Sequence, residues 1–173
     1  RALGRAFEWM GESDALGLDN SVCVAIEGLQ FKSAASRKNF PGVMRMKETL
    51  ARFAVRHCSQ VVVVNPKFTS FIGELKFEGS VAPTVHEAAA YVIARQGLGL
   101  REHPNAQVEK AASGFQSGLR TLLKNMEGNK KKEVSALMMK LRGLEGWLTG
   151  KTRDKSLRPW EVLYGCNQAL QMS

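Results

Sequence analysis

The chain has 173 residues, 44% of them hydrophobic, which is enough for one domain, or one and a half, with a real core. It carries 25 Lys and Arg against 16 Asp and Glu, a formal net charge of +9. No apolar run approaches the roughly 18 residues of a membrane span and no signal-peptide pattern opens the chain, so a membrane partner is not expected.

The elements follow in chain order. The chain begins with Arg1 and opens directly in a helical pattern, Leu3, Phe7 and Met10, that runs over residues 2–12. Such a start points to a piece of a longer protein, although a processed start or a cloning boundary looks the same. Residues 13–21 are turn-like. Val22-Cys-Val-Ala-Ile-Glu27 is an apolar strand that ends on a lone carboxylate. Residues 28–42 are rich in Ser, Lys, Arg and Gly and form a basic loop. Residues 43–58 form a helix whose apolar face is Val43, Met46, Leu50, Phe53, Ala54 and His57. Four consecutive valines, Val61 to Val64, form a second strand over 61–65, and a continuous β-branched run suits a strand covered on both faces. Asn65 to Ser70 is a polar loop leaving that strand.

Thr84 and Glu87 make a T-x-x-E capping box for a helix over 84–97, with Gly97 as its stop. The unit from 22 to 97 is then a right-handed parallel crossover with a second helix behind it. Beyond residue 100, helices are expected over 105–127, 131–149 and 159–171, with no strand pattern. The domain plan is 1–100 for the α/β core and 101–173 for a basic all-α tail. Charge follows that division. Residues 1–100 hold 12 Lys and Arg against 9 acids, and residues 101–173 hold 13 against 7. A basic balance of this size favours a polyanionic partner. Cys23, Cys58 and Cys166 are far apart and form no C-x-x-C pair, so no zinc ribbon is expected and a reducing, intracellular setting fits.

Phosphodiester cleavage by two metal ions needs carboxylates a few ångströms apart, and parallel sheets collect them at the carboxyl ends of strands. Glu27 ends its strand with only Gly28 after it and is the first candidate, or else an exposed acid at a strand end. Glu87 is a second candidate with a sufficient structural role as the capping acid. His86, beside it, can ligate a metal, polarise a phosphate or face solvent. Asn65, Lys67, Phe68, Thr69 and Ser70 put a cation, a ring and two hydroxyls on one loop, able to grip a phosphate backbone and stack a base. The alternative tucks Phe68 into the core. Lys130, Lys131 and Lys132 either bind phosphates or form a solvated run. Trp147 and Trp160 read as packing residues.

Taken in order, Ile26-Glu-Gly-Leu29, then Val63-Val-Asn-Pro-Lys-Phe-Thr-Ser70, then His86-Glu-Ala-Ala-Ala-Tyr-Val-Ile-Ala-Arg95 resemble the C-terminal half of TnpB-type proteins. These are transposon-encoded relatives of the type V CRISPR effectors, and the likeness covers roughly residues 20–100. It implies a partial RNase H-like, RuvC-like core that cuts DNA with Mg²⁺ under the direction of a guide RNA, in a prokaryotic cytoplasm. It puts a catalytic, metal-binding acid on Glu27 and the last site residue on His86 or, with a one-residue shift, on Glu87, which would then also ligate metal. It puts the substrate-side motif on Asn65 to Ser70, with Phe68 in place of a Tyr. Three departures go with it. No acid-bearing hairpin precedes Glu27, Phe71 to Gly79 replaces the usual zinc ribbon, and a His stands at the last acid. The two-metal site is therefore incomplete in this chain, and the chain alone is not expected to cut. Two alternatives stand beside the nuclease: a nuclease-inactive relative that binds nucleic acid, and a basic α/β interaction module.

Overall fold

The computed structural model describes residues 23–28, 41–56, 60–151 and 158–172. The helix expected over 2–12, the turn 13–21 and most of the basic loop 28–42 lie outside the described residues, as do His57 and Cys58. What is described is mixed α/β, mostly helical, with a small parallel sheet. Contacts divide the chain into two compact units, residues 1–67 with 93–101, and residues 68–92 with 102–173.

In the first unit β1 (Cys23–Glu27) pairs in parallel with β2 (Gln60–Val64), in a register that sets Cys23 against Gln60 and Glu27 against Val64. Helix α1 (Pro41–Arg56) joins them as the expected crossover and packs on β2. Its Ala54 is fully buried, whereas Met46, read as part of the apolar face, is 50% exposed. The valine run is covered less than expected. Val64 is buried, Val61 and Val62 are half-buried, and Val63 is 65% exposed. Among the described residues only two strands pair, and two strands shield less than the wide, helix-covered sheets in which such runs usually sit.

The loop expected over 65–70 is half loop and half helix. Asn65 to Lys67 leave the strand, and α2 (Thr69–Lys76) then begins at once, so Thr69 and Ser70 open a helix. Thr69, Phe71, Ile72, Gly73 and Lys76 of this helix are buried. Tertiary packing rather than propensity holds so short an element. Gly73 is central to that packing, since a Cβ there would stand 2.7 Å from the backbone of Ala88 on α3 (Val85–Gly97). Helix α3 begins at its capping box as expected. Its end differs. Gly99, at φ +75°, takes the left-handed position, with Leu100 N–H donating to Arg95 C=O and Gly99 N–H to Gln96 C=O. Gly97 serves packing instead, since a Cβ on it would meet Ala25 of β1 at 2.6 Å.

The second unit is completed by α4 (Ala106–Lys124), α5 (Gly128–Gly143), the single-turn α6 (Glu145–Leu148) and α7 (Pro159–Gln171). Asn105 caps α4 by accepting from Val108 N–H at 3.1 Å. Val108, Ala112 and Leu119 of α4, Val134, Met138 and Leu141 of α5, Trp147 of α6, and Leu163 and Cys166 of α7 form one core with Phe71. A second cluster gathers Ile72, Phe77, Ala82, Ala88 and Val92. Two boundaries depart from the expected ones. The helix expected from residue 131 begins at Gly128, so Lys130 to Lys132 all lie within the first five residues of α5, and the helix expected over 131–149 breaks at Leu144 into α5 and α6. No described helix is long and apolar enough to cross a membrane.

Candidate functional site

A parallel pair delivers the carboxyl ends of both strands to one edge. Here that edge carries Glu27 and Gly28 from β1, and Asn65, Pro66 and Lys67 from β2. Glu27 is half-buried and stands opposite Val64. Gly28 continues the pairing, donating its N–H to Val64 C=O at 2.8 Å. A Cβ at Gly28 would stand 2.9 Å from Val63 Cγ1, so the missing side chain admits the neighbouring strand. Beyond Val64, Asn65 turns the chain: its Oδ1 accepts from Lys67 N–H at 2.9 Å. Asn65 and Lys67 are exposed and Pro66 is half-buried. The strand end thus offers a carboxylate, an amide and an ammonium on one edge of the sheet.

The rest of the loop motif lies in the second unit. Phe68 has φ 69°, in the left-handed region that non-glycine residues rarely adopt. Its ring packs on Tyr164 of α7 with centroids 5.3 Å apart. Thr69 is 2% exposed and Ser70 is exposed. Of the two sequence alternatives for Phe68, this geometry is the tucked-in one.

At the start of α3, Thr84 Oγ1 accepts from Glu87 N–H at 3.3 Å, while Glu87 Oε2 accepts from Thr84 N–H at 3.2 Å and from Thr84 Oγ1–H at 2.8 Å. Glu87 is therefore occupied as a cap. His86 is exposed beside it. His86 and Glu87 belong to the second unit and Glu27 to the first. Among the described residues no three His, Cys, Asp or Glu side chains gather where they could hold a metal ion. The described donors do not fit a two-ion centre by themselves, since one carboxylate ends a strand and the other closes a capping box.

One feature of the second unit has no counterpart in the sequence reading. Lys76 and Glu102 form a buried ion pair, Nζ to Oε2 at 2.5 Å, with side chains 8% and 2% exposed. The Lys76 ammonium also lies 4.9 Å from the centre of the Phe77 ring. Trp160 Nε1–H donates to Glu102 C=O at 3.2 Å. The partners are 26 residues apart, and no periodicity or motif links them. Trp160 in turn stacks edge-on against Trp147, centroids 5.4 Å apart, so both tryptophans are packing residues.

No protein-family model matches the chain, and no curated protein or solved structure matches it either.

Proposed function

We propose that the chain is the C-terminal, RuvC-like part of a TnpB-type, RNA-guided DNA endonuclease of RNase H-like fold, with Glu27 as one of its metal-ligating carboxylates. One observation carries this reading. A parallel strand–helix–strand unit sets Glu27 at the carboxyl end of β1, beside the strand end from which Asn65, Pro66 and Lys67 leave. Ligands and metals gather at such edges in α/β proteins. In this reading Asn65 and Lys67 face the phosphate backbone of the substrate strand. Glu27 would hold a divalent ion there, and such an ion would supply water activation and stabilisation of the leaving oxygen.

The test uses the full-length protein with its guide RNA, assayed for Mg²⁺-dependent nicking of target DNA. Glu27→Ala lowers the rate by at least about 100-fold, beyond the loss typical of an outer-sphere residue. Unchanged cleavage removes Glu27 from the site.

A second reading is favoured by the capping geometry at α3. Glu87 is engaged with Thr84, and a His stands where the resembled family places an acid. On that reading the protein is a nuclease-inactive relative that binds nucleic acid through the same edge. It predicts binding that weakens steeply with salt and no Mg²⁺-dependent nicking by the wild type.

A further inference from the structure

Helices α4 and α5 pack on each other and are joined by only three residues, Asn125 to Glu127. The reversal gathers cations at one tip. Arg120 and Lys124 come from the last two turns of α4, and Lys130, Lys131 and Lys132 from the first five residues of α5. All five are exposed. Among the described residues none of them forms an ion pair or a side-chain hydrogen bond. Glu127 and Glu133 are the acids of the same stretch, so the tip remains positive.

These lysines do nothing for the helix they open. Cations in a first turn oppose the helix dipole. Helix α5 has no acid in that turn, and Glu127 at its N-cap makes no capping bond. The cluster therefore needs an explanation outside the fold, and its charge calls for a polyanion.

The arrangement narrows the choice. Residues 120–133 contain no aromatic side chain, so the tip lacks the stacking surface that single strands use. Three consecutive helical residues point about 100° apart, which spreads the ammonium groups in a fan rather than a row. A fan suits a narrow groove with phosphates on both walls. The major groove of A-form RNA is deep and narrow, whereas that of B-form DNA is about 12 Å wide. We propose that the α4–α5 tip is a docking surface for double-helical RNA, gripping phosphates on either side of the major groove without reading sequence. The proposal rests on the RNA-guided reading for its partner and adds the surface that holds it; its test uses neither Glu27 nor any metal, so it can fail while the cleavage assay succeeds.

The full chain is titrated by fluorescence anisotropy against a 20-base-pair RNA duplex, the DNA duplex of the same sequence, and one RNA strand alone, at several salt concentrations. Duplex RNA binds at least about 10-fold more tightly than either competitor. The triple variant Lys130→Ala, Lys131→Ala, Lys132→Ala weakens that binding at least 10-fold and flattens the salt slope by about two to three. Removing cations from a first turn favours the helix, so the variant folds. Lys110→Ala, about 21 Å along α4 from Lys124 by helical rise, leaves binding unchanged. Wild-type affinity in the triple variant, or equal affinity for the DNA duplex or the single strand, overturns the proposal.

Discussion

At the residue scale, the glycines of the second unit divide by what surrounds them. Gly73 faces the backbone of Ala88 and cannot accept a methyl group without moving a helix, whereas nothing stands within 4 Å of a Cβ at Gly114. In urea melts Gly73→Ala should lose about 1–3 kcal/mol, because overpacking against backbone exceeds the gain in helix propensity. Gly114→Ala should gain about 0.5–1 kcal/mol from that propensity alone. Equal effects at the two positions would show that α2 and α3 do not meet as closely as described. Glu87 is tested on the same scale. Thr84→Ala removes the N-cap acceptor and should cost about 1 kcal/mol, while Glu87→Gln keeps an acceptor oxygen and should cost less. If Glu87→Gln spares stability yet abolishes Mg²⁺-dependent nicking, the residue ligates metal as well as capping the helix.

Among elements, legibility in the sequence followed local signals. The apolar run ending at Glu27, the valine run and the Thr84–Glu87 box each specify their element within a few residues, and β1, β2 and the start of α3 lie where those signals put them. Helix α2 had no such signal. Its eight residues include Thr, Ser, Phe, Ile and Gly, poor formers in isolation, and burial on both sides makes it a helix. The start of α5 was legible only to within three residues, because Gly128 and Asn129 are poor helix formers and its opening lysines carry no capping signal. At the candidate site, the placement of Glu27 at a strand end was legible from an apolar run closing on an acid. The packing of Phe68 on Tyr164 was not, since it depends on a partner 96 positions away. Nor was the Lys76–Glu102 pair, which ties α2 to the segment entering α4. Lys76→Met or Glu102→Leu alone strands a buried charge and should cost about 3–5 kcal/mol, whereas the double substitution should recover most of that loss. Additive losses in the double-mutant cycle would deny any coupling between the two.

For the whole molecule, the thiol of Cys166 gives a readout of folding. Burial in the second unit's core pushes it up to about 11, from 9.0. A thiol that ionises less readily folded than unfolded adds stability that is complete below pH 9.0 and fades as pH rises toward about 11. Chemical denaturation between those values should show wild type losing stability faster than Cys166→Ala. At pH 8 a thiol reagent should label folded wild type and Cys166→Ala at the same rate, and a slower variant would mean that Cys166 is reached without unfolding.

The tryptophan pair makes the second unit visible. Two of the chain's three tryptophans, Trp147 and Trp160, stand almost at right angles, 86° between planes, and both lie in the second unit. Two indoles so close should couple their electronic transitions, and a paired circular-dichroism band from them should be lost when either ring moves away. Such a band would be an optical label built into the second unit. It would follow the α6–α7 corner through heating or denaturant without any attached dye.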